Sequence, residues 1–172
     1  MEINVQLTEA IINQSMKMHY ANAPAKQRYS LLYVPIVLSF VGVYFIINEL
    51  GKPQFGSNGW LGILYQAMAV GLYFYLKRKR DHTGKFLLKA MGENAAFDME
   101  VNDNELVTKL SDSTLSHQWV AFHKAIIGRD IVLLYQGNQS FTMFAKSFFS
   151  NDDFDRFKKM VKQHVMEVKQ VG

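Results

Sequence analysis

The sequence contains no cysteine, which excludes disulfide bonds, cysteine-ligated zinc and thiol catalysis. It also contains none of the motifs G-x-S-x-G, H-E-x-x-H and G-x-x-x-x-G-K-[ST], which mark serine hydrolases, zinc proteases and phosphate-binding loops. No acid and base stand paired in a pattern that suggests proton transfer. The sequence therefore predicts a protein that is not an enzyme and that needs no cofactor.

Charge is absent from two stretches, Ser30–Ile47 and Gly59–Leu76, each 18 residues long. An 18-residue helix is roughly 27 Å long, close to the ~30 Å hydrocarbon core of a bilayer. A signal peptide is a poorer interpretation of the first stretch, because it begins at residue 30 and no small-residue cleavage site follows it. We therefore predict a transmembrane hairpin over 30–76, with helices at 30–47 and 59–76. A soluble protein with a buried helical hairpin is the alternative.

Basic residues predict the orientation of this hairpin, because lysine and arginine concentrate at the cytoplasmic ends of spans. The loop between the stretches holds one base, Lys52, and one acid, Glu49. Both termini are therefore expected in the cytoplasm. The run at 77–80 sets this topology, and a contact with anionic lipid is its second candidate role. The bases that flank the hairpin most closely are Lys17, Lys26 and Arg28 before it, and Lys77, Arg78, Lys79, Arg80, Lys85 and Lys89 after it.

The two halves of the chain differ in charge. Residues 1–89 carry a net charge of +6 and residues 90–172 a net charge of −2. The pI of about 9.2 thus reflects the residues that flank the hairpin. Nucleic-acid binding requires basic charge on a folded face, so we do not expect a nucleic-acid partner.

The depth of residues within an antiparallel hairpin predicts contacts between its helices. Counting inward from the loop, Gln66 lies level with Phe40 and next to Ser39, so we expect a hydrogen bond between Gln66 and Ser39. Ala67 and Gly71 form a small-xxx-small pair that would admit a close neighbouring helix.

The segments on either side of the hairpin show local signals. Residues 2–7 alternate polar and apolar side chains, which indicates a short strand, and Thr8 is placed to cap a helix over 9–20. We assign 1–29 to a cytoplasmic strand and amphipathic helix. The stretch 77–94 is predicted to be a basic juxtamembrane helix, whose lysines and Phe86 form an amphipathic collar at the membrane surface.

Residues 95–172 change to a period of two, which indicates short strands joined by tight turns. We expect the last strand pair at 131–135 and 140–144. A C-terminal helix follows, with Ser150 and Asp153 as a capping box and apolar residues recurring through Val168. The predicted fold class is α+β, with a pleckstrin-homology-like (PH-like) antiparallel sheet or small barrel closed by this amphipathic helix. Strand 2–7 is expected to join that sheet, because a lone strand is marginally stable.

Three groups of residues are candidates for sites of chemistry. His117 and His123 lack a third ligand at metal spacing, so half-exposed strand histidines are the favoured interpretation. Asp152, Asp153 and Asp155 suit the positive N-terminus of a helix, and the other ligands of a calcium loop are missing. Trp119 is predicted to be a core anchor, with a ligand groove as the alternative. No metal site is predicted.

Four features of the sequence carry a resemblance to known proteins: the opening QLTEAIINQSMKMHY, the two spans ending in KRKR, the segment SHQWVAFHKAI and the closing SFTMFAKSFFSNDDFDRFKKMV. In these features the chain resembles the YcxB-like family of bacterial membrane proteins. It implies a location in the bacterial inner membrane and this architecture, and it supplies no catalytic residues.

These observations predict a multi-pass inner-membrane protein that presents a PH-like binding or scaffolding module to the cytoplasm. Its expected partners are membrane lipids and a protein or peptide at the sheet edge or the open end of the barrel. The alternative is a subunit of a transport or envelope-stress system that forms oligomers through Ala67 and Gly71.

Overall fold

The computed structural model describes residues 1–25, 29–50, 52, 54, 56–110, 113–137, 140–150 and 152–171. The chain divides into two compact units: Met1–Lys17 together with Gly84–Gly172, and Met18–Thr83. Lys26 and Arg28, two of the bases expected on the cytoplasmic side, lie outside the described residues, as do parts of the predicted turns at 111–112 and 138–139.

The first sheet is antiparallel and has the strand order β1-β2-β3-β4. Alternation places Ile3 and Val5 of β1, and Met99 and Val101 of β2, on the buried face, while their neighbours point outward. The strands are β1 (Glu2–Gln6), β2 (Ala96–Val101), β3 (Glu105–Lys109) and β4 (Thr114–Gln118).

The predicted pairing of the N-terminal strand is confirmed. β1 pairs antiparallel with β2, with Val5 opposite Phe97 and Ile3 opposite Met99. The backbone N–H of Leu7 extends the ladder by donating to the carbonyl of Ala95 at 2.9 Å. The first residues of the chain are therefore built into the sheet formed by residues 96–118.

The second sheet is mixed and has the order β7-β6-β5-β8, with β8 parallel to β5. All five residues of β6 are buried, as expected for a strand covered on both faces. Burial raises the pKa of the Tyr135 phenol at its end to about 12. The strands are β5 (Lys124–Ile127), β6 (Ile131–Tyr135), β7 (Phe141–Ala145) and β8 (Glu167–Gln170).

Two predictions for this region were wrong. The described strands form two four-stranded sheets and not a closed barrel. The C-terminal helix ends at His164, and the residues expected to continue it form β8. Val168 fits the helical spacing, but the helix has already ended, because Val165 is extended at φ −100° and ψ 129°. Beyond Val165, pairing with β5 determines the conformation of the chain.

The salt bridge between Lys124 and Glu167 joins β5 to β8 and lowers the pKa of the Glu167 carboxyl.

Five α-helices lie in the described part of the chain. α1 and α4 touch at Gly84, where an added Cβ would lie 2.8 Å from the carbonyl oxygen of Glu9 and 2.7 Å from the Asn13 side chain. The Gly84 N–H also donates to Asn13 Oδ1 at 3.0 Å, so this contact needs glycine. The helices are α1 (Glu9–Asn22), α2 (Ser30–Glu49), α3 (Ser57–Asp81), α4 (Thr83–Met91) and α5 (Asp153–His164).

Candidate functional site

The helices α2 and α3 pack side by side and run in opposite directions, and their backbones meet at two glycines. A Cβ added at Gly42 would lie 2.9 Å from the carbonyl oxygen of Gly62, and one added at Gly62 would lie 2.7 Å from that of Gly42. Side chains cannot occupy these positions without separating the helices. This crossing was not predicted from the sequence, although both glycines stand in the halves of the stretches nearest the loop.

The hydrogen bond expected between Ser39 and Gln66 is present. The Ser39 hydroxyl donates to Gln66 Oε1 at 3.0 Å, and the Gln66 amide donates to the Ser39 carbonyl at 2.8 Å. These reciprocal bonds satisfy the amide of a residue in the middle of an apolar helix. Near this pair, the rings of Phe45 and Tyr65 stack with their centroids 6.0 Å apart.

Replacing Gln66 by leucine should lower the stability of the helix pair by about 0.6–2 kcal/mol, because both interhelical hydrogen bonds are lost. Thermal unfolding of the detergent-solubilised chain measures the change. Ser57→Ala is the control, since Ser57 is an exposed hydroxyl residue at the start of α3. A melting temperature unaffected by Gln66→Leu would contradict a stabilising role for these bonds.

A buried carboxylate closes the turn between α2 and α3. The Glu49 side chain is 2% exposed and forms a 2.7 Å salt bridge with Lys52. It also accepts the backbone N–H of Gly56, which precedes α3, at 3.0 Å. From the sequence, Glu49 was expected only to be a loop charge. The signal for its structural role is an acid at the end of an apolar helix with a lysine three residues later.

Most large apolar side chains of α2 and α3 point away from the partner helix. Leu32–Glu49 and Ser57–Asp81 are long and apolar enough to cross a membrane by length and composition, and 17% of each candidate span is buried. The core helix of a soluble protein would be mostly buried. The most exposed of these side chains include Tyr33, Phe40, Tyr44, Ile47, Leu64, Phe74 and Tyr75.

Four consecutive bases, Lys77, Arg78, Lys79 and Arg80, lie exposed near the C-terminal end of α3. Successive helical residues are about 100° apart, so the four side chains surround the helix. No described acid forms a salt bridge with any of them. The helix ends directly beyond them, where the Thr83 hydroxyl donates to the carbonyls of Lys79 and Arg80. Basic charge at this end also suits the helix dipole.

Ala67 and Gly71 are not part of the contact between α2 and α3. Both are exposed, and a Cβ added at Gly71 would have no neighbour within 4 Å. Of the four residues predicted to make interhelical contacts, the structure thus brings Ser39 and Gln66 together and leaves Ala67 and Gly71 on an outer face of α3.

The other compact unit has an aromatic core centred on Trp119, which is 4% exposed. Its indole N–H donates to the carbonyl of Asn102 at 2.9 Å, and its ring stacks on His164 at a centroid distance of 5.2 Å. Trp119 also contacts Phe157 of α5, and Phe157 in turn contacts Phe144 of β7 at 4.6 Å. These contacts join the two sheets to α5 and agree with the predicted role of Trp119 as a core anchor.

Residues 101–161 match the family model described as YcxB-like protein. The matched residues run from the end of β2 into α5 and include Trp119, so the resemblance is confirmed for this YcxB-like segment. No curated protein and no solved structure matches the chain.

Several polar side chains at the start of α5 form structural contacts with each other. Asp153 pairs with Arg156 and Asp155 pairs with Lys158. Ser150 and Asp153 do not form the expected capping box, because the hydroxyl donates to the carboxylate and no side chain caps α5. In the described part of the chain, no group of three or more histidine or acidic residues is placed to hold a metal ion. His117 is half-buried and His123 is exposed.

Proposed function

We propose that this chain is an integral membrane protein of the bacterial inner membrane, with α2 and α3 as its spans and both termini in the cytoplasm. Its cytoplasmic part is a PH-like binding or scaffolding module without enzymatic activity. One observation carries the proposal: the paired helices expose their apolar side chains and bond their polar groups to each other.

That arrangement suits lipid better than water. In hydrocarbon an unsatisfied polar group is costly, so the Gln66 amide needs its partner on α2. In water, by contrast, the exposed apolar side chains would form a patch far larger than soluble monomers normally show. The exposed bases at 77–80 stand at one end of α3, where the positive-inside rule favours the cytoplasm.

The absence of cysteine allows a direct test of this topology. Single cysteines replace Ser57, which lies exposed at the start of α3, and Gln136, which lies exposed after β6. We expect a membrane-impermeant maleimide to label intact cells at position 57 and to label position 136 only after lysis. Labelling at position 136 in intact cells would indicate the opposite topology. If neither position is labelled before lysis, a soluble protein is favoured.

The edge of the first sheet is the surface we propose for a peptide or protein partner. β4 is an edge strand, and four of its five residues are exposed, including Leu115 at 48%. An extended peptide can add to such an edge through backbone hydrogen bonds. We expect a photo-crosslinking residue at Leu115 to capture a discrete partner in cells. The same residue at Gln163, an exposed position on α5, is the control; equal products from both sites would argue against the edge.

A second function is favoured by the outer face of α3. Ala67 and Gly71 are exposed there, with open space beside Gly71, so another copy of α3 has room to approach closely. In that case the chain is an oligomeric subunit of a transport or envelope-stress system, and bulky residues at both positions would abolish the oligomer while leaving the YcxB-like segment folded.

A further inference from the structure

The short helix α4 has two unlike faces. Gly84 is buried against α1, as described above. Lys85, Phe86 and Lys89 are exposed, and their helical positions fall within about 100° of each other. The Phe86 side chain is 73% exposed, more than any other described aromatic residue. α4 therefore presents two lysines and, at the edge of the same arc, an exposed aromatic ring.

We infer that this face of α4 lies on the surface of a membrane that contains anionic lipid, with the Phe86 ring inserted at the boundary between headgroups and acyl chains. The inference rests on the proposed membrane location of α3. A single exposed apolar side chain needs no special explanation. An exposed aromatic ring at the edge of a lysine-bearing face is instead expected of a helix that lies in the plane of an anionic interface, where the ring enters the acyl boundary and the lysines meet the headgroups.

Chain length keeps Phe86 within reach of that surface. α3 is helical to Asp81 and α4 is helical from Thr83. Phe86 is ten positions beyond Leu76, the last apolar residue of α3, and with these helical segments the two residues are at most about 20 Å apart along the chain. The headgroup layer on each side of a bilayer is roughly 5–8 Å deep. A ring at position 86 can therefore reach the layer that the bases at 77–80 would occupy.

The positive charge of this face of α4 indicates that the surface it contacts is anionic lipid. Lys85 and Lys89 form no salt bridge with any described acid. Each lysine near an anionic surface strengthens binding by about fivefold. With the four bases at the end of α3, the short segment from 77 to 89 carries six basic residues against one acid, Asp81.

The test uses the full chain with a spin label on Ala90→Cys, an exposed position one turn beyond Phe86. The protein is reconstituted into vesicles of phosphatidylcholine, with or without phosphatidylglycerol, and accessibility to a water-soluble nickel reagent and to oxygen is measured. Labels at Leu64→Cys on α3 and at Gln163→Cys on α5 give references for a lipid-exposed and a water-exposed site.

We expect the label at 90 to be shielded from the nickel reagent in vesicles with phosphatidylglycerol and much less so without it. Lys85→Gln with Lys89→Gln should weaken surface binding by about 25-fold and remove this dependence on lipid charge. Phe86→Ser should reduce the shielding as well. Circular dichroism and thermal unfolding establish that these exposed substitutions leave the fold intact.

Three results would overturn the inference. If the label at 90 is as accessible as that at 163 in both kinds of vesicle, α4 does not touch the lipid surface. Shielding at 90 in native membrane fragments but not in vesicles would assign the face to a protein partner. Nickel access at Leu64 would instead refute the proposed function itself, because α3 would not be in lipid.

Discussion

Val5→Asp should unfold the compact unit that contains the YcxB-like segment. Val5 is 2% exposed and lies opposite Phe97 in the first sheet. The substitution removes a buried apolar side chain and leaves an unpaired charge in its place, which costs about 3–5 kcal/mol. Since small domains have stabilities of about 5–15 kcal/mol, this loss is a large share of the total. We expect residues 84–172 to lose their resistance to limited proteolysis.

The neighbouring residue provides a matched control. Gln6 is exposed on the opposite face of β1, so Gln6→Asp introduces the same side chain one position away. A substitution at such a surface position changes stability by within about 0.5 kcal/mol. Protease resistance should therefore survive Gln6→Asp and be lost with Val5→Asp. Equal behaviour of the two variants would mean that β1 does not contribute to the sheet in solution.

The same alternation explains why β1 could be predicted from the sequence. A strand with apolar residues at every second position must bury one face, and a short lone strand cannot do so. The pair Ser39 and Gln66 could be predicted for a similar reason, because two polar residues at equal depth in apolar helices have few other partners. In both cases the residue type and its position permit only a small number of arrangements.

Other features depended on contacts between distant parts of the chain. Val165 and Val168 fit the spacing of α5, but β5 offers an open edge to which residues 167–170 pair. That edge exists only after the second sheet has formed. Local periodicity therefore could not indicate where the helix ends. The arrangement of the eight described strands in two sheets, in place of one barrel, likewise depends on pairing between distant parts of the chain.

The crossing of α2 and α3 was missed because glycine is ambiguous in sequence. Gly42, Gly62 and Gly71 all stand within apolar stretches, and the small-xxx-small spacing drew attention to Gly71. Only the distances between the helices distinguish them: Gly42 and Gly62 contact each other's backbone, whereas Gly71 has open space around it. Gly62 and Gly71 should therefore respond differently to the same substitution.

Gly62→Leu should separate α2 from α3, whereas Gly71→Leu should not. At Gly62 the new Cβ would lie 2.7 Å from both the Gly42 carbonyl oxygen and Ile46 Cγ1, so the helices must move apart. Such overpacking costs about 1–3 kcal/mol. Separation would also strain the Ser39–Gln66 bonds, which adds to the loss. Thermal unfolding in detergent should show a clearly lower melting temperature for Gly62→Leu.

Gly71→Leu places the same residue in the same helix, so helix propensity and added apolar volume are matched and only the neighbours differ. Its melting temperature should stay at or above that of the unmodified chain, because leucine favours helix over glycine. Equal destabilisation by both variants would contradict the observed crossing. Chemical cross-linking of Gly71→Leu tests the alternative function separately. If the variant loses the oligomer but keeps its melting temperature, the outer face of α3 mediates self-association, because the contact between α2 and α3 remains intact.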